Sequence, residues 1–239
     1  MSFFKKLLNL IYPENNHCLK CNENYIFSEI TGLCSDCLSQ LPFLEHYCFS
    51  CGRALIDESR KYCSFCSENG FAFDQARSAG LYSDLLKFLI LKFKYELKLS
   101  ISETLGEILY YTFQLYYQKG NINEIVYVPI HNQRRKERGF NQAELIAQDL
   151  SKKIKIPLNS KVERIKVTPP LYNYAFHERE NILKDSFALE NNLYKGKTLL
   201  LLDDVLTTGA TANELARVLK EVGGANKVFL LTVATAITY

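Results

Sequence analysis

Eight cysteines, set as four Cys-x-x-Cys pairs, fall between residues 18 and 66, and none lies elsewhere in the 239-residue chain. The pairs are Cys18/Cys21, Cys34/Cys37, Cys48/Cys51 and Cys63/Cys66. Each pair presents two thiolates that grip one edge of a tetrahedral Zn²⁺, so eight ligands make two four-cysteine sites. A site closed by four thiolates has no open coordination position, and its zinc builds structure instead of doing chemistry. The intervening stretches of twelve, ten and eleven residues suit short hairpins, and Gly52 stands where a zinc knuckle needs a permissive backbone. Ligation is either sequential, as two ribbons in a row, or interleaved, the first pair with the third and the second with the fourth. Electron transfer is the weaker reading, because repeated pairs serve ligation better.

The opening MSFFKKLLNLIYP has too short an apolar run, and no small-residue cleavage site, to serve as a secretory leader. A cytoplasmic chain with reduced cysteines is therefore expected. Phe4, Leu7, Leu8 and Ile11 share one helical face opposite Lys5 and Lys6, which predicts a short helix packed on the ribbons or on the next domain. With 47% hydrophobic and 23% charged residues the composition is that of a packed globular protein. No apolar run approaches the roughly 20 residues of a membrane helix, so no membrane insertion is expected.

Residues 1–70 carry six basic and eight acidic side chains against 23 and 18 in residues 71–239, so an anion meets the second part more readily. Each filled zinc site holds a formal −2, which makes the first part more acidic still and suits it to scaffolding or protein docking more than to binding phosphates. We expect two domains, a helix with a double zinc-ribbon module over 1–70 and an α/β domain over 71–239.

From residue 71 the patterns alternate. FAFDQARSAGLYS reads as extended, and DLLKFLILKFKYELK as a helix. A second helix begins near Ser100 and Glu103 and carries Leu105, Ile108, Leu109 and Thr112 inward. Then come a strand (EIVYVPI), a helix over 138–154, a short strand (VERIKV) and a polar loop running through Arg179. KTLLLLDD is a strand buried on both faces, followed by a helix ended by Gly223 and Gly224, and by a last strand, KVFLLTVAT. Such alternation predicts a parallel sheet flanked by helices.

The stretch LLLLDDVLTTGATANE, residues 199–214, is the most informative. A buried strand runs into two carboxylates, Asp203 and Asp204, and a turn of hydroxyls and small residues then opens a helix whose free N–H groups hold an anion. Adjacent carboxylates accept hydrogen bonds from vicinal ribose hydroxyls, while Thr207, Thr208 and Thr211 with the N–H groups around Gly209 and Ala210 surround a phosphate. Neither the lysine of GxxxxGK[ST] nor the three glycines of GxGxxG is present. Thr211 and Glu214 also have capping-box spacing, which would make Thr211 a helix cap.

DDVLTTGAT resembles the diphosphate-sugar-binding motif of type I phosphoribosyltransferases. The full order, four CxxC units, KFKYE, VPI, RRKERGFNQAE, ERENI and DDVLTTGAT, resembles the ComF family of competence-associated proteins over nearly the whole chain. The resemblance implies a type I phosphoribosyltransferase-like parallel sheet preceded by a double zinc ribbon. It implies that phosphoribosyl pyrophosphate (PRPP) binds with Mg²⁺, its ribose hydroxyls on Asp203 and Asp204 and its 5′-phosphate within Thr207–Thr211. Arg135 and Arg138, with Lys94 and Arg179 as weaker candidates, would face the pyrophosphate. Leu171 stands where the family usually has glutamine, which leaves the acceptor open. Two functions follow from the resemblance: phosphoribosyl transfer to an acceptor, linked to DNA uptake, or PRPP binding without turnover. In the second, residues 71–239 engage single-stranded DNA and the ribbons dock a partner such as an uptake helicase.

Overall fold

The computed structural model describes residues 16–96, 99–169 and 174–238. The expected N-terminal helix and Leu171 lie outside these residues. The first ribbon contains the hairpin β1 (Asn16–His17) and β2 (Asn24–Tyr25) and the short helix α1 (Ser35–Leu38). The second contains β3 (Ala54–Leu55) and α2 (Ser64–Glu68). Cys18, Cys21, Cys34 and Cys37 gather in one cluster, and Cys48, Cys51, Cys63 and Cys66 in the other, so the sequential arrangement holds and the interleaved one does not.

The central sheet is parallel, in the order β4 (Gln75–Leu81), β9 (Lys227–Thr235), β8 (Thr198–Leu206), β5 (Glu124–Tyr127). Side chains of β8 alternate between two cores, as a strand buried on both faces requires. Leu200 and Leu202 join a core with α3 (Asp84–Tyr95), α4 (Leu99–Tyr116) and α6 (Gln142–Ile154). Leu199 and Leu201 join the opposite core with α8 (Ala210–Glu221). The ribbons share these cores: Cys18, Leu33 and Cys37 belong to the first, and Cys48, Cys51 and Cys63 to the second. The outer side of β4 is covered by the same region, since Ala76 N–H donates to Ser50 O and Leu81 N–H to Pro42 O. β10 (Ile237–Thr238) closes the chain by pairing with β3.

Four expectations are corrected. VERIKV does not enter the main sheet: only β6 (Glu163–Arg164) forms, antiparallel to β7 (Phe187–Ala188), because its apolar positions are too few to bury both faces. The helix expected over 138–154 begins only at Gln142, as α6; Arg138 instead ends a separate helix, α5 (Asn132–Arg138), and Gly139 at φ +79° turns the chain between them. The polar loop through Arg179 contains α7 (Phe176–Leu183), whose Glu178 carboxylate accepts from Ala175 N–H at 2.7 Å. The cap of α8 is Gly209, at φ +87°, and not Thr211. Glu214 instead accepts from Asp185 N–H and pairs with Arg217.

Candidate functional site

The pairing of β5 with β8 ends at Tyr127 and Leu202, whereas β8 stays in register with β9 as far as Leu206 and Thr235, so among the described residues the carboxyl end of β8 has no strand neighbour on the β5 side. The chain leaving β5 builds α6 on one face of the sheet, while the chain leaving β8 builds α8 on the other. Adjacent strands whose connections diverge to opposite faces leave a crevice at their carboxyl ends, and this is where open parallel sheets bind ligands.

Asp203 and Asp204 lie inside β8 at this crevice, both half-buried. Asp204 N–H donates to Asp203 Oδ1 at 2.9 Å, and Val205 N–H to Asp204 Oδ1 at 2.7 Å, so the local backbone fixes both carboxylates. Burial, followed by the charge of Asp204, pushes the Asp203 carboxyl well above the ordinary range, and Arg164 works against that shift. Like charges held this close at the edge of a sheet call for a cation or a hydroxyl donor.

Opposite them stands RGFNQ, and each of its residues has a local task. Arg138 ends α5, and Gly139 takes the left-handed turn with its N–H on Arg135 O. Phe140 is buried with its ring 5.4 Å from that of Phe93. Asn141 caps α6 by accepting from Ala143 N–H, and its amide donates to Val128 O. Gln142 accepts from Arg138 Nη1 at 3.4 Å, and its own Nε2 is buried with no hydrogen-bond partner among the described residues.

On α5, positions 134 and 138 lie one helical turn apart; Arg134 lines the cavity shared with Arg164, whereas Arg135 lines another, beside Tyr127 and Asn141. Burial and the neighbouring Arg134 lower the pKa of Arg138, and Asp204 and Tyr95 oppose that shift. Arg135 forms an ion pair with Glu144 at 2.9 Å. Lys94 lies at the end of α3, its ammonium 5.6 Å from the centre of the Tyr95 ring.

Sequence reasoning did not single out Arg164. Burial and Arg134 bring its pKa down to about 10, and Asp203 counters them. Its Nη2 donates to Thr168 Oγ1 at 2.6 Å. With Arg134, Gln133, Glu137, Thr168 and His131, it lines a cavity of about 250 Å³. Nothing in the local pattern marks it, because its placement comes from the β6–β7 pairing.

The turn from Thr207 to Thr211 wraps a smaller cavity of about 60 Å³, lined also by Asp203 and Arg179. Arg179 Nη1 donates to Thr207 Oγ1 at 3.2 Å and lies 3.4 Å from Thr208 Oγ1, while its Nε donates to Tyr174 O. The structure thus sets Arg179 against the hydroxyls of the turn. A Cβ on Gly209 would sit 2.8 Å from Phe71 Cε1, so only glycine fits both the positive φ and the ring beside it. His131 accepts from Gln133 N–H, and His177 lies exposed beside Glu180.

In the cysteine clusters, Cys21 Sγ lies 3.7 Å from Cys34 Sγ, and Cys51 Sγ lies 3.7 Å from Cys63 Sγ. A tetrahedron with Zn–S bonds of about 2.3 Å has edges of about 3.8 Å, so both donor sets fit zinc.

A crevice at the end of a parallel sheet, adjoining carboxylates and a hydroxyl-rich turn, joined to two tetrathiolate ribbons, defines a phosphoribosyltransferase-domain protein with a zinc module. Comparison with known families agrees: residues 7–67 match the double zinc ribbon domain, and residues 116–238 match the phosphoribosyl transferase domain. The chain is 33% identical over 215 residues to Competence protein F of Haemophilus influenzae, covering 87% of this chain and 93% of that protein. It is 30% identical over 237 residues to Competence protein ComFC of Bacillus subtilis, covering 95% and 87%. DNA utilization protein YhgH of Salmonella typhimurium is 27% identical over 198 residues, covering 81% and 86%. The chain belongs to the ComF family, and its two four-cysteine clusters are structural zinc sites. No helix among the described residues is long and apolar enough to cross a membrane.

Proposed function

We propose that this protein binds PRPP with Mg²⁺ in the crevice between β5 and β8 and transfers its phosphoribosyl group to an acceptor in the handling of DNA. The observation that carries this reading is the Asp203–Asp204 pair, fixed by its own backbone at an open sheet end beside the glycine-hinged turn. The carboxylates accept from the two ribose hydroxyls, and the Thr207–Thr211 turn with the N-terminus of α8 encloses the 5′-phosphate. Arg138 and Arg134, on one face of α5, and Arg164 across the cavity face the pyrophosphate and stabilise the charge it gains on leaving. Arg179 moves with the phosphate, exchanging hydroxyl partners for phosphate oxygens. Lys94 closes the rim, and Arg135, through Glu144, fixes the position of α5. Mg²⁺, which prefers oxygen ligands, neutralises pyrophosphate charge when bound with the sugar, and the acidic pair suits it. Transfer breaks the anomeric carbon–pyrophosphate bond and forms a bond from that carbon to the acceptor, with inversion.

The names of the relatives, competence and DNA utilization proteins, support a role in DNA uptake or use. The excess of basic residues in 71–239 favours a second reading, in which the same site binds PRPP without turnover and this part engages single-stranded DNA while the ribbons dock a helicase.

Calorimetric titration of PRPP in Mg²⁺ tests the shared core of both readings. Wild type is expected to bind, and the Asp203→Asn, Asp204→Asn double variant to lose at least about tenfold in affinity through its missing charge-assisted hydrogen bonds. Equal binding by the two proteins would overturn the assignment. Pyrophosphate release in the presence of an acceptor then separates transfer from binding alone.

A further inference from the structure

We propose that zinc in the second cysteine cluster and the sugar phosphate on the Thr207–Thr211 turn bind cooperatively, coupled through Arg53 and Phe71. The inference rests on the reading of that turn as a phosphate cradle, given above.

Arg53 is 8% exposed. Its Nε donates to Cys51 Sγ at 3.3 Å, and its Nη2 lies 3.9 Å from Cys63 Sγ. A filled tetrathiolate site carries −2, and that charge is what makes a buried guanidinium tolerable there. The opposite side of the same guanidinium rests on aromatic rings, its Cζ 5.4 Å from the centre of Phe71 and 5.9 Å from that of Phe65. Phe71 in turn stacks on Phe73 at 4.6 Å and 12°, and meets Phe65 at 4.6 Å.

The Phe71 ring forms the wall behind Gly209, as the missing space for a Cβ there shows. A second tie runs beside it. Ala72 N–H donates to Asn213 Oδ1 at 2.7 Å, Asn213 N–H donates to Gly209 O at 2.8 Å, and Asn213 Nδ2 donates to Glu180 Oε1 at 3.2 Å. Glu180 adjoins Arg179 on α7, so the ring and its neighbour brace both walls of the cradle.

The first cluster leads elsewhere. Thr31 N–H donates to Glu107 Oε2, and Thr104 Oγ1 donates to Thr31 O, both on α4 and on the far face of the sheet. Two zinc ions of equal chemistry therefore have unequal contact with the cradle. Losing the second ion removes the fixed charge that holds Arg53, and the ring stack against Gly209 relaxes with it.

By linkage, a phosphate ligand that needs the braced cradle must tighten the second zinc by the same factor that this zinc tightens the ligand. The test is equilibrium competition for zinc between the full-length, two-zinc protein and a chelator of known affinity, in Mg²⁺ with and without PRPP. One of the two ions is expected to gain about fivefold or more in affinity with PRPP, and the other to stay unchanged. Phe71→Leu is expected to keep two zinc ions per chain, lose that gain, and bind PRPP about fivefold or more weakly by calorimetry.

Wild type that binds PRPP while neither ion, or both equally, gains affinity would overturn the coupling and leave the site assignment standing. A Phe71→Leu protein that keeps the full gain would overturn the route. Failure of wild type to bind PRPP overturns the cradle and the coupling together. If Phe71→Leu does not fold, the wild-type comparison decides alone.

Discussion

Asp203 is held at a cost, by burial and by the charge of Asp204 beside it. A carboxyl whose proton is gripped harder in the folded chain than in the unfolded one favours folding at low pH, and that advantage is lost as pH rises from the ordinary aspartate value of 3.8 toward the raised one. At neutral pH the charge therefore weakens the fold. Asp203→Asn keeps an oxygen to accept Asp204 N–H and removes the charge. The variant is expected to melt higher than wild type at pH 7, by roughly 2–4 °C per kcal/mol relieved, and the gap is expected to close below the ordinary aspartate value. Thermal melts across pH check this, and a variant that melts lower at neutral pH would show that the carboxylate has a stabilising partner. The same residue that weakens the fold carries the proposed ligand, as a binding site poised for a cationic or hydroxyl-rich partner requires.

Among the elements, those with a local signature were legible from the sequence and those defined by their neighbours were not. The CxxC pairs, β8 and α8 follow from spacing and periodicity within a few residues. α5, seven residues within HNQRRKERG, has no apolar face, so nothing in its pattern distinguishes it from a solvated basic turn. α7 (FHERENIL) has apolar residues only at its two ends, Phe176 and Ile182–Leu183, too few for a helical stripe. Arg164 comes to line the cavity and to feel the charge of Asp203 only through a two-residue strand that pairs outside the main sheet. Gly139 shows how a single residue separates α5 from α6. It sits at φ +79°, and a Cβ added there would meet nothing within 4 Å, so Gly139→Ala has room but the wrong backbone preference. The expected loss is about 1 kcal/mol, read by denaturant melts, with zinc content unchanged. A neutral result would mean that the αα corner tolerates another geometry and does not by itself aim Arg138 at Asp204.

Across the whole molecule, the ribbons are built into the two cores instead of hanging beside them. Leu33 and Cys37 pack with Leu86, Leu89 and Leu105, while Cys48 and Cys51 pack with Phe73 and Leu230. Zinc bound only to the folded state adds its binding free energy to folding. Stripping the metal with a strong chelator is therefore expected to lower the main thermal transition of the entire chain by more than about 10 °C, not to melt a separate module. Calorimetry distinguishes the outcomes: an early transition at unchanged main melting temperature would show that the two parts fold independently.

The outer rim of β4 is where this architecture reaches beyond the single chain. Ser50 and Pro42 occupy carbonyl positions that would otherwise fall to another strand, so the ribbons double as a guard rail on a four-stranded sheet. A bare rim of backbone donors invites edge-to-edge addition of a second sheet. Stripping the zinc is therefore expected to bare this rim and to give concentration-dependent association, read by light scattering; a metal-free protein that stays monomeric would show that the rim is guarded by something else.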